Sequence, residues 1–184
     1  MTPARYDAPT RLIHFLLAAL GVAAIVSGQF AGDYRRAVHS GFDLHQWIGI
    51  AMGAALLARI AWGLVGPREV RFSAWLPVTS RRLKLAADDV RELLRFRLPA
   101  HEAGHEGLAG VVQAAGLLAF AWMAASGALL FAWLEPGARA SGAARVVKEL
   151  HEGGQVAVLA YLALHVGAVL ANALAGRPLW RRMF

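Results

Sequence analysis

The sequence predicts an all-α protein, an integral membrane four-helix up-down bundle with an amphipathic helix in a cytoplasmic loop. Two observations carry this reading: four long apolar stretches, and a lopsided distribution of basic residues between them. The stretches are Leu12–Phe30, Leu44–Val65, Leu108–Leu134 and Leu150–Ala175, each at least 19 residues long and nearly free of charge. About 20 helical residues cross the hydrocarbon of a bilayer. Charged residues make up 17% of the chain and hydrophobic ones 58%, against roughly 25% charged in soluble domains. Lipid offers no hydrogen-bond partner to an open strand edge, so helices are the expected spanning elements.

The first stretch invites comparison with a secretory signal, with cleavage near Ser27–Gly28 as the alternative reading. Its apolar part is about twice as long as a signal core and contains His14, which favours a retained span. Cysteine is absent, which excludes disulfides, iron–sulfur clusters on protein thiolates and haem attached through thioethers.

The net charge of +7 is accounted for by topology, and no nucleic-acid partner is expected. Arg5 and Arg11 precede span one, and Arg177, Arg181 and Arg182 follow span four. The central loop holds Arg68, Arg71, Arg81, Arg82, Lys84, Arg91, Arg95 and Arg97. The other two loops hold only Arg35, Arg36, Arg139, Arg145 and Lys148. The positive-inside rule therefore places both termini and the long loop of this multi-pass protein in the cytoplasm.

Residues 1–184 read as one domain, with outer loops near Ala31–Asp43 and Glu135–Glu149 and an inner loop near Gly66–Gly107. The short outer connections favour antiparallel neighbours. Within the inner loop, Leu83, Ala86, Ala87, Val90, Leu93 and Leu94 recur at helical spacing between Arg81 and Arg97. This predicts an amphipathic helix lying on the membrane face, with its bases near anionic headgroups; a docking helix for a partner subunit is the alternative. The preceding segment Arg71–Pro77 supplies Phe72 and Trp75 as interfacial aromatics and Pro77 as a helix breaker.

Ionisable residues inside a span are costly and point to function. Of seven histidines, His14, His45, His151 and His165 lie within or at the edge of spans. His151 and His165 are 14 residues apart on one helix, hence on nearly the same face and about 21 Å apart along the axis. Chain direction puts His14 level with His165 near the inner surface and His45 level with His151 near the outer one. Two imidazoles facing each other at one depth suit the axial positions of a low-spin b-type haem, and the chain has two such pairs. Zinc would need further ligands close by. A proton relay would need polar groups between the levels, where Val158 stands instead.

Other residues fit a macrocycle. Gly21 and Gly28 follow His14 at spacings of seven, and Gly49 and Gly53 follow His45 at spacings of four. Small residues admit a flat porphyrin, although they serve plain helix packing equally well; Gly28, at the depth of the outer pair, is the better candidate. Arg59 is the basic residue well inside a span. It shares the face of His45 about 21 Å deeper, where its guanidinium would suit an inner-haem propionate; a snorkelling arginine is the alternative. His39 reads as solvated. His101 and His105, mixed with Glu102 and Glu106, read as a solvated turn with a metal site as the alternative.

Taken together, these residues resemble the bacterial cytochrome b561 and nickel–iron hydrogenase b-type cytochrome family. The resemblance rests on Arg11-Leu12-Ile13-His14-Phe15, Leu44-His45-Gln46-Trp47-Ile48-Gly49, Arg59–Pro67 with Arg71-Phe72-Ser73, Gly104-His105, Glu149-Leu150-His151-Glu152 and Leu164-His165-Val166. It implies the same four haem ligands and two haems b. It also implies electron transport between a quinone pool and a redox partner, such as a c-type cytochrome or a dehydrogenase or hydrogenase subunit; a homodimer is compatible with it. One motif departs: the family commonly has Gly-His-Asn-Pro where this chain has Gly104-His105-Glu106-Gly107, so no role at a propionate or quinone is carried over to His105. Two other readings stay open. One is a self-contained quinone reductase that oxidises a small reductant at the outer haem. The other is a solute transporter using intramembrane histidines, which would be colourless when purified.

Overall fold

The computed structural model describes residues 5–31, 40–99, 106–134 and 139–183. These residues form α1 (Ala8–Gly28), α2 (Ser40–Val65), α3 (Phe72–Trp75), α4 (Ser80–Leu94), α5 (Leu108–Trp133) and α6 (Gly142–Leu174), with 3-10 turns at Arg68–Val70 and Leu179–Arg182. No strand occurs among the described residues. Helices α1, α2, α5 and α6 are each long and apolar enough to cross a membrane. Their large side chains point outward: Leu57 is 68% exposed, Leu118 71% and Leu164 61%. In water such a surface would drive aggregation; facing lipid it is the expected exterior, with small and polar residues turned inward.

Helix ends depart from the apolar stretches where local chemistry extends them. Helix α1 starts at Ala8 because Asp7 caps it, accepting from the Thr10 N–H at 3.2 Å and the Thr10 hydroxyl at 2.6 Å. Helix α6 begins eight residues before Leu150, carried by the i,i+4 pairs Arg145–Glu149 (2.8 Å) and Lys148–Glu152. Hydropathy cannot see a helix made of such pairs.

The chain divides into two compact units, each taking one end of all four long helices. In the unit of Leu12–Ala58 and Ala119–Val158, the helices close into a ring of neighbours. Helix α1 meets α2 where Gly28 lies beside His45, and meets α5 where Gly21 lies against the Phe120 ring. Helix α5 meets α6 where Gly154 lies against Met123 and Trp122, and α2 meets α6 at His45 and His151. Val158 on α6 is buried in this unit.

The other unit comprises Met1–Arg11, Arg59–Leu118 and Leu159–Phe184. Its N- and C-terminal segments are stitched together by Tyr6 N–H to Arg182 O (3.0 Å) and Arg11 Nε to Met183 O (3.2 Å). Trp62 Nε1 donates to Thr10 Oγ1 at 2.9 Å, which ties α2 to α1. Thr79 caps α4 by accepting from Arg82 N–H at 3.3 Å. The buried Asp89 accepts from Leu108 N–H at 2.8 Å and docks α4 on the start of α5. On α4, Leu83, Val90 and Leu94 remain exposed, an apolar stripe turned outward as an interfacial helix requires.

Phe72 and Trp75, expected as interfacial aromatics, have another place. Trp75 is only 1% exposed and donates from Nε1 to Val70 O at 3.3 Å. Both rings pack on the Arg59 guanidinium, so the segment folds inward as the wall of a half-buried cation.

Two helices end in the same left-handed cap with different residues. At α6, Gly176 (φ 77°) places its N–H on Ala173 O and that of Arg177 on Asn172 O, a Schellman motif in which glycine bears no Cβ strain. At α4, Phe96 (φ 57°) makes the same pair of bonds, to Leu93 O and from Arg97 to Glu92 O, and is fully exposed. A side chain in this conformation costs about 1 kcal/mol. Phe96→Gly is therefore expected to raise thermal stability in detergent by about 1 kcal/mol. A loss of stability would instead show that the exposed ring is held by apolar contact with lipid or detergent.

Candidate functional site

In the unit of Leu12–Ala58 and Ala119–Val158, the structure brings His45 of α2 and His151 of α6 together, with ring centroids 6.2 Å apart and planes at 77°. Each histidine engages a serine on the neighbouring helix through Nδ1. Ser27 Oγ of α1 lies 3.1 Å from His45 Nδ1, and Ser126 Oγ of α5 lies 2.8 Å from His151 Nδ1. Both serines are buried, at 3% and 1% exposure. The glycine after each serine makes room for the ring: a Cβ at Gly28 would sit 3.4 Å from His45 Cε1, and one at Gly127 3.3 Å from His151 Cε1. Ser27-Gly28 and Ser126-Gly127 thus perform one local task twice.

This donor set fits a haem iron. A metal–imidazole nitrogen bond is about 2 Å long, and the nitrogen lies about 1 Å from its ring centre, so two imidazoles on opposite sides of one ion have centroids roughly 6 Å apart. With each Nδ1 on a serine, Nε2 is the nitrogen left for the metal. Gly49 and Gly53, on the helix of His45, have no atom of the described residues within 4 Å of an added Cβ, so none of these residues closes over the two positions. Gly21, by contrast, serves packing: its Cβ position lies 3.3 Å from Phe120.

The other unit gathers Arg59, Tyr161 and His165. Arg59 lies over the Phe72 and Trp75 rings at 5.3 and 5.7 Å, and its Nη2 reaches Val70 O at 3.5 Å. Its Nη1 is buried without a hydrogen-bond partner among the described residues, an orphaned donor suited to an anion. Its planar cation stacks on aromatic faces. Gly63 permits this, since a Cβ there would lie 2.8 Å from Arg59 Nη1 and 2.5 Å from the Phe72 ring. The Tyr161 ring stacks on His165 (5.5 Å, 23°) and occupies the room left by Gly116.

His14 is half-buried on α1 and falls in the unit of His45 and His151, whereas His165 falls in the other; their pairing rests on sequence spacing. His39, His101 and His105 lie outside the described residues. Sequence reasoning did not single out Ser126, Gly127, Tyr161 or Gly116, and took Ser27 only as part of a cleavage site. The Ser-Gly step recurring in the C-terminal part of α1 and α5 is the signal that could have found the first pair.

No curated protein and no solved structure matches the chain. The family model for prokaryotic cytochrome b561 matches residues 5–184, so the chain belongs to that family and is a b-type haem protein of the bacterial membrane that transfers electrons across it.

Proposed function

We propose that the chain works as one dihaem domain that carries electrons between a quinone pool and a redox partner protein, a c-type cytochrome or a dehydrogenase or hydrogenase subunit. His45 and His151 would hold the outer haem and His14 and His165 the inner one, with both termini in the cytoplasm. The observation that carries this reading is the His45–His151 pair, whose 6.2 Å separation suits one iron between them. Haem held by these histidine pairs would supply one-electron redox chemistry, and ligation by two imidazoles would favour electron transfer over oxygen chemistry.

The chain's own residues do the rest. Gly28 and Gly127 let α1 and α5 close on the histidine rings. Arg59, held by Phe72 and Trp75, offers its free Nη1 to an anionic propionate of the inner haem. Tyr161, stacked on His165, limits the ring's rotation. Val158, buried between the two histidine levels of α6, offers no polar step for a proton, so the path suits electrons.

A pyridine haemochrome assay on purified protein is expected to give two haems b per chain, resolved into two components by redox titration. One haem per chain sinks the layout. Activity of the isolated chain with a small reductant and a quinone would favour the self-contained quinone reductase over a subunit that needs a partner.

A further inference from the structure

The geometry assigns Ser27 and Ser126 as positioning residues that lock His45 and His151 in the tautomer able to bind iron, an inference that rests on the proposed outer haem. A serine hydroxyl has one proton to donate and two lone pairs to accept with. In both serines the proton is directed back into the serine's own helix. Ser27 Oγ donates to Ala24 O at 3.3 Å, and Ser126 Oγ to Trp122 O at 2.7 Å with Met123 O at 3.3 Å. Toward the histidine each oxygen is thereby left as an acceptor. The groups that meet at 3.1 and 2.8 Å must then be an Nδ1–H and an oxygen lone pair. Nδ1 carries the proton, and Nε2 keeps the lone pair that a metal requires.

Three features separate this from incidental packing. Serine is a weaker helix former than alanine, because its hydroxyl competes for backbone groups, and alanine would fill nearly the same volume. Both hydroxyls are buried, so water does not compete for the bond and it keeps its full directional strength. The arrangement also occurs twice with the same chemistry, from α1 to α2 and from α5 to α6. On the second side it is braced further, since Trp122, whose carbonyl takes the Ser126 proton, donates from Nε1 to Leu150 O at 3.3 Å, next to His151.

An accepting oxygen on Nδ1–H gives the imidazole partial imidazolate character. That strengthens its bond to the metal and stabilises the ferric over the ferrous state, so the serines are expected to lower the outer haem's midpoint potential.

The test uses the full-length holoprotein in detergent, comparing Ser27→Ala, Ser126→Ala, the double alanine variant, and Ser27→Thr and Ser126→Thr. The alanine variants are expected to shift the midpoint potential of one of two haems to more positive values. They should also release that haem to an apomyoglobin acceptor faster, on the order of 10- to 100-fold for the double variant, the usual effect of losing such a partner. The threonine variants, which keep the hydroxyl, should restore both quantities, and the second haem should not move. An outer potential and release rate unchanged in the alanine variants would overturn the role of the serines. His45→Ala and His151→Ala are run alongside: if neither removes a haem, the proposed function itself fails. If they remove one haem and the alanine variants stay silent, only the serine assignment falls.

Discussion

Replacing His151 by alanine is expected to remove one of two haems and to stop electron flow across the membrane, while the chain still folds and inserts. His45 would then face an iron alone, and its ring would lose the partner now 6.2 Å away. His45→Ala should give the same result, because a bis-histidine site fails with either ligand. His14→Ala and His165→Ala should remove the other haem, leaving the His45–His151 haem in place. Haemochrome counts on the four variants check the pairing, and pairs that group differently would refute it. Spectroscopy offers a second readout. With imidazole planes at 77°, the outer ferric haem should show the strongly anisotropic low-spin resonance of near-perpendicular axial rings, and this signal should vanish in both outer variants. The fold should survive because the lipid-facing surface and the α1–α5 and α5–α6 packing contacts do not depend on these rings.

Gly116→Ala is expected to be strongly damaging although it adds only one methyl group. The new Cβ would lie within 2.5 Å of Cε2, Cδ2 and Cζ of Tyr161, which are ring atoms with no flexible end to swing away. Overpacking of this kind costs about 1–3 kcal/mol. Relief requires α5 and α6 to part or Tyr161 to leave its stack on His165. Lower thermal stability should therefore come with weaker retention of the haem held by His165. A cycle with Tyr161→Leu should show strong coupling, about 0.5–3 kcal/mol, because the smaller side chain vacates the clash. Gly49→Ala is the control. Its Cβ meets nothing within 4 Å, so the change should gain about 0.5–1 kcal/mol of helix stability, unless a macrocycle lies on that face. Equal behaviour of the two variants would show that Gly116 is not a packing requirement.

The histidines illustrate what spacing along a helix can and cannot convey. The 14-residue interval from His151 to His165 sets a face and a rise by helix geometry alone, and the alternation of spans predicts which histidine shares its level. Arg59 stood out for a similar reason, as a charge where charge is expensive. Its surroundings did not. Phe72 and Trp75 looked like interfacial aromatics because composition alone cannot distinguish a ring that faces headgroups from one folded back on a guanidinium. Likewise, Ser27 and Gly28 are small residues at a helix end, the pattern shared by a signal cleavage site and a close helix contact.

By itself the sequence determined the all-α membrane class and the four spans, because these follow from bilayer thickness and hydropathy; the period of the helix added which histidines to propose as ligands. Only the tertiary structure decided which hydroxyl meets which imidazole, that Arg59 stacks on Phe72 and Trp75 with one nitrogen left over, and that Gly116 makes room for Tyr161. Those facts depend on the rotation of each helix about its axis and on contacts between residues far apart in the chain. A helical period constrains the faces of one helix but not the partner each face meets. The four-span bundle was therefore legible residue by residue, whereas the Ser27–His45 and Ser126–His151 hydrogen bonds arise only when α1 packs on α2 and α5 on α6.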